Sequence, residues 1–189
     1  MDKREKIERV GEVYDMFQET HERFYDIWYE HTFLHWDWWI SLGLGIGSWA
    51  LWFWVRRRES TQRLLYAGTY MMLISLFLDY IGVAIGLWYY SGKLTPTMPA
   101  YLPFNFAALP VVTMLLLQWR PWINKHAKAL FFGLFNGFVG EPLFVWAGFY
   151  VMTGWQYYYS VPIYYALYLV AHAIAHADAY GRLERRSAG

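Results

Sequence analysis

The stretch "LLYAGTYMMLISLFLDYIGVAIGLWYY" (64–90) holds a single charged residue, Asp79. A bilayer's hydrocarbon core is about 30 Å thick, so a helix needs about 20 mostly apolar residues to cross it. Four further segments approach that length: about 37–55, 102–119, 129–152 and 161–179. Charge is correspondingly scarce and clumped. The 189 residues are 57% hydrophobic and only 16% charged, against about 25% in soluble domains. Trp and Tyr crowd the ends of the runs, as interfacial belts do. The expected fold is an all-α integral membrane protein with five transmembrane helices.

The basic residues orient this bundle. Arg56, Arg57, Arg58 and Arg63 lie between the first two runs, and Arg120, Lys125 and Lys128 between the third and fourth. Arg182, Arg185 and Arg186 follow the fifth, whereas the alternate loops hold only Lys93. The positive-inside rule then places the N-terminus outside and the C-terminus in the cytoplasm. The opening "MDKREKIERVGEVYDMF" has mixed charge and no apolar core, so the first span is expected to act as the targeting element. The domain reading is an extracytoplasmic helix over 1–35, a bundle over 36–180 and a basic cytoplasmic tail over 181–189.

In the first segment, Ile7, Val10, Tyr14, Phe17, His21, Phe24, Trp28, His31 and His35 recur in alternating steps of three and four. Such a seam suits either a helix lying on the protein or membrane surface, or a coiled-coil stalk that oligomerises and runs into the first span. His21, His31 and His35 are metal-ligand types, but aromatic neighbours leave them little room. Within the spans, Gly43/Gly47, Gly82/Gly86, Gly133/Gly137 and Ala171/Ala175/Ala179 repeat at four-residue spacing. In lipid, small residues let helix backbones approach closely. Pro110 and Pro142 each remove a backbone donor, freeing the carbonyls of Phe106 and Phe138. Those carbonyls need partners from a neighbouring helix or a wet cavity.

Ionisable groups inside a membrane are costly and point to function. Here they are Asp79, Glu141, His172 and His176, with Asn105 and Asn136 as polar companions. Helix rise places Asp79, Glu141 and His172 at similar depth, and His176 nearer the cytoplasm. No Lys or Arg occupies a span centre. The carboxyls can therefore stay protonated, pair with a histidinium or hold a cation. Glu141 beside Pro142 joins a carboxyl to a broken helix ladder, as in ion sites of discontinuous helices. A pocket of Trp and Tyr around such a carboxylate would also suit an organic cation. The structural alternative is a protonated Glu141 bonded across helices and Asp79 paired with a Tyr hydroxyl or His.

His172 and His176, in "AHAIAHAD" (171–178), share a helix face and supply two metal or haem ligands. Topology separates them from His31 and His35 by about 20 Å or more. No cysteine is present, which excludes thiolate sites and disulfides. Neither H-E-x-x-H nor a nucleophile elbow occurs, so no reaction is assigned and a non-enzyme is favoured. The formal net charge of +1 gives no case for nucleic acid.

Three stretches, "FNFAALPVVTML" (104–115), "EPLFVWAGFY" (141–150) and "YSVPIYYALY" (159–168), resemble a family of small multi-pass membrane proteins of Gram-positive, often spore-forming, bacteria. The likeness covers about 64–170 and places Asn105, Pro110, Glu141, Pro142 and Pro162 within shared motifs. It implies a helical protein of a bacterial plasma membrane and carries over no catalytic residues. The expected function is a small channel or transporter-like protein handling protons, cations or a small polar ligand through Asp79, Glu141 and His172. The alternatives are a structural or assembly protein, and a haem- or metal-binding protein using His172 and His176. The expected partners are the lipid bilayer and further copies of the chain. No cofactor is expected on the leading reading; haem or a divalent metal belongs to the last alternative.

Overall fold

A computed structural model describes residues 2–177. Helix α1 spans Lys3–His31, α2 Trp36–Val55, α3 Thr61–Ala84, α4 Phe104–Gln118, α5 Lys125–Trp146 and α6 Tyr157–Ala175. Two short strands, β1 (Trp88–Tyr90) and β2 (Tyr150–Met152), pair antiparallel. Asp2 and Asn124 begin α1 and α5 by accepting backbone N–H bonds, so each satisfies one of the donors that a helix start leaves orphaned.

Among the described residues, three helices are long and apolar enough to cross a membrane: Trp36–Val55, Arg58–Ala84 with its leading turn, and Lys125–Trp146. Five had been expected. Helix α4 is apolar but short. Helix α6 is held below the hydropathy of a span by Tyr157, Tyr158, Tyr159, Tyr164, Tyr165, Tyr168 and His172. The expected runs 64–90 and 129–152 also stop early, because a glycine ends each helix. Gly86 has φ 76° and Gly148 φ 79°. Leu87 N–H bonds the Gly82 carbonyl while Gly86 N–H bonds that of Val83. Phe149 and Gly148 repeat the pattern on Phe144 and Val145. Both ends are therefore Schellman caps, which require the left-handed conformation that glycine adopts without strain.

Each cap leads into one strand, with Tyr89 opposite Val151 at the centre of the pair. The strand pair closes reciprocally. The Ser91 hydroxyl donates to the Gly148 carbonyl, and the Thr153 hydroxyl donates to the Gly86 carbonyl at 2.6 Å. The two helix ends thus cap each other through the strands.

Helices α4 and α5 share a second device. Leu109 N–H reaches back five residues to Phe104 O, and Glu141 N–H reaches five back to Asn136 O. These wide π-turns directly precede Pro110 and Pro142, which supply no N–H of their own. The Phe106 carbonyl freed by Pro110 accepts from Trp49 Nε1 of α2 at 2.9 Å, so of the two expected sources, a neighbouring helix or a wet cavity, a helix serves it.

Packing follows the small residues in part. A Cβ on Gly133 would lie 2.6 Å from the Val161 carbonyl, and one on Gly137 3.0 Å from that of Tyr157. Helices α5 and α6 therefore touch backbone to backbone. Ala171 and Ala175 are buried; Ala179 lies outside the described residues. Gly43 and Gly47 instead face open space, and Gly82 carries the Trp88 indole rather than a helix. The core joins α2, α3, α4, α5 and α6 through Trp52, Met71, Met114, Phe132 and Tyr168. Large apolar side chains such as Leu73, Phe77 and Trp146 point outward.

At one end, Arg57 N–H bonds Gln118, and Lys128 Nζ bonds the Leu116 and Trp119 carbonyls. Arg182, Arg185 and Arg186 lie outside the described residues. At the other end, Trp28 Nε1 and Trp38 Nε1 donate to the carbonyls of Lys93 and Leu94. Helix α1 is not continuous with α2, as a stalk running into it would be. The chain turns between them, with Leu34 at φ 61°, and Trp28 is the buried residue of α1.

Candidate functional site

Below the β1–β2 pair, α3, α4, α5 and α6 surround a cavity of about 220 Å³. Its polar lining includes Asp79, Asn105, Glu141, Ser160 and Tyr164, and its apolar lining is largely aromatic. Each element contributes for a local reason. The Schellman turn at Gly86 carries Trp88 back over Gly82, and the strand alternation then points Tyr90 to the same side. The π-turns carry Asn105 and end at Glu141, so both residues belong to turns whose helical ladder is already irregular.

Asp79 is 8% exposed and saturated. Its Oδ1 accepts from Tyr90 Oη at 2.8 Å and Trp88 Nε1 at 3.2 Å, and its Oδ2 accepts from Asn105 Nδ2 at 2.5 Å. An indole N–H and an amide NH₂ can only donate, a set that matches the acceptor-only carboxylate. Buried charges are tolerated when hydrogen-bonded in this way.

Glu141 is different. The hydroxyls of Ser160 and Tyr164 stand beside its carboxyl, and Ser160 Oγ itself accepts from Trp155 Nε1 at 2.7 Å. Yet Glu141 Oε2 is buried and has no hydrogen-bond partner among the described residues. A buried acceptor without a donor is costly, about 1–3 kcal/mol. The cavity thus contains one carboxyl fully served by the protein and one left partly open.

Of the residues singled out in the sequence, Asp79, Asn105 and Glu141 line one cavity. Asn136 does not; it is buried, with Nδ2 on the Phe132 carbonyl. His172 also lies elsewhere. Depth along the bundle brought it level with the carboxyls, but rotation about α6 turns it away. The cavity face of α6 is Ser160, Ile163, Tyr164 and Leu167. His172 comes five residues later, about 140° round a helix of 3.6 residues per turn. Its ring stacks on that of His176 at 3.9 Å between centroids, and His176 Nδ1 lies 2.9 Å from the His172 carbonyl. Among the described residues, no group of three or more His, Asp or Glu gathers as a metal site. Asp178 lies outside the described residues.

Trp88, Tyr90, Tyr150, Ser160 and Tyr164 were not singled out. Tyr90 and Trp88 fell at the end of a long run, where interfacial aromatics are expected. The available signal was Gly86, a helix-stopping residue just before them.

Compared with known protein families, curated proteins and solved structures, the chain matches none. Fold and cavity therefore define its class on their own: a mostly helical, aromatic-rich protein with three candidate membrane-crossing helices.

Proposed function

We propose that this is a multi-pass protein of a bacterial plasma membrane that takes up a proton, cation or small polar ligand at the Asp79–Glu141 cavity. Helices α2 to α6 would all be membrane-embedded, with α4 and α6 completed by their flanking residues. The N-terminal side would face outward, because Arg56, Arg57, Arg58, Arg120 and Lys125 cluster at the opposite end. The outward apolar side chains support contact with lipid. The open face of Gly43 and Gly47 supports close approach of a second copy.

One observation carries the functional reading. Glu141 lines a cavity with a second carboxyl and, among the described residues, no basic side chain, and its enclosed Oε2 has no hydrogen-bond partner there. A carboxyl kept only for structure would have its acceptors satisfied, as those of Asp79 are. Ion and proton sites at discontinuous helices have this arrangement. Proteoliposome flux of protons and monovalent cations tests the proposal. Wild-type protein should show flux that Glu141→Gln abolishes. Equal flux in both, or none in either, overturns it.

A further inference from the structure

We infer that the cavity binds a small organic ammonium ion, with the cationic nitrogen at the Glu141 carboxyl and the carbon body against the aromatic wall. This rests on the cavity being the functional site, and names the class of ligand.

Four features converge on that chemistry. Asp79 has its acceptors occupied by Tyr90, Trp88 and Asn105. It offers no free contact. Glu141 lines the cavity and has one oxygen, Oε2, without a partner among the described residues, and an ammonium N–H is a donor that its carboxyl can take. The wall is rich in rings held by one another. Tyr90 stacks between Tyr101 and Tyr150, with centroids at 5.6 and 5.3 Å, and Trp88 meets Trp155 at 5.1 Å. Ring faces attract cations, most of all when water is excluded. Finally, the volume of about 220 Å³ exceeds what a bare ion or proton requires. A dry cavity of about 150 Å³ already holds benzene, so a monoamine bearing one ring or a short alkyl chain fits.

A hard metal cation fits less well. Calcium takes six to eight oxygen ligands and magnesium near-ideal octahedral oxygen. The lining here is mostly carbon, and the Asp79 oxygens are already engaged. An ammonium ion needs one strong acceptor and an apolar shell, and both are present.

The rings also imply a fixed pocket. A Cβ on Gly82 would lie 2.1 Å from the Trp88 indole, so that indole lies directly on the helix backbone. Binding should then require little rearrangement of the rings, and only a turn of the Glu141 carboxyl to bring Oε2 to the ligand.

Calorimetric titration of the full-length protein in nanodiscs tests the inference. The probes are phenethylammonium, cyclohexylammonium and hexylammonium chlorides, the neutral isostere 2-phenylethanol, and sodium chloride. At least one ammonium probe should bind. The neutral isostere should bind at least about tenfold more weakly than phenethylammonium, and Glu141→Gln should weaken the ammonium probe by a similar factor. If that variant does not fold, the comparison of charged and neutral probes on wild type decides. Binding of 2-phenylethanol as tight as phenethylammonium overturns the inference. So does failure of all three ammonium probes. Sodium binding without ammonium binding removes the ligand class but leaves the cation reading intact; binding of no probe, together with absent flux, removes both.

Discussion

Asn105 donates its side-chain amide to Asp79 Oδ2 at 2.5 Å, which ties the π-turn of α4 to the middle of α3. Replacing Asn105 with Leu leaves a buried carboxylate oxygen short of its donor. The expected cost is about 1–3 kcal/mol, because the unpaired group keeps its full desolvation penalty. Thermal unfolding in a mild detergent measures it. An unchanged midpoint would show that the bond contributes nothing.

The glycines should divide by what their missing Cβ would meet. Gly133→Ala places a methyl 2.6 Å from the Val161 carbonyl, so two backbones must move apart. Overpacking of this kind costs about 1–3 kcal/mol. Gly43→Ala meets nothing within 4 Å among the described residues. It should leave the unfolding midpoint of the monomer unchanged or slightly raised, because alanine favours helix by about 1 kcal/mol. Comparable losses in both variants would contradict the packing described.

Trp49→Phe removes the indole N–H that serves the Phe106 carbonyl and keeps most of the ring. A loss of about 1 kcal/mol is expected. Trp54→Phe is the control, since Trp54 is 84% exposed, and it should change stability by less than about 0.5 kcal/mol. Chemical denaturation of the two proteins side by side distinguishes them.

Lys93 gives a pH dependence outside the membrane-crossing segments. Its Nζ donates to the Met98 carbonyl and sits 4.3 Å from the Phe24 ring centre. Burial pushes its pKa down to about 8, below the value of about 10.4 for a free lysine. Between these values the unfolded chain holds a proton that the folded chain has released. Stability from this group therefore rises with pH from about 8 toward 10, and the penalty is fully present below 8. Unfolding midpoints at pH 7.5 and 9.5, compared between wild type and Lys93→Met, should show a rise only in wild type. A fall, or the same difference in both, would refute it.

Hydropathy made the helical class legible, and proline chemistry made the Phe106 carbonyl legible as a group needing a partner. The identity of that partner was not readable, because Trp49 reaches it only through the packing of α2 on α4. Asp79 and Glu141 shared a depth that helix rise could estimate. His172 shared the depth too, but depth along an axis carries no information about rotation around it. Gly86 was read with Gly82 as a close-packing pair. In the structure it ends the helix, because its value lies in a positive φ rather than a small size. That one glycine turned two apparent belt aromatics into cavity walls.

The reciprocal caps between Ser91 and Gly148, and between Thr153 and Gly86, bind residues far apart in the chain. During synthesis, the first strand must therefore wait while about 60 further residues leave the ribosome, at about 5–20 residues per second. Asp79 meanwhile has its β1 donors but no finished enclosure, and Tyr164 on the final helix supplies the last wall. The cavity is thus a late product of biogenesis, and a nascent chain released before α6 would lack the wall that Tyr164 supplies.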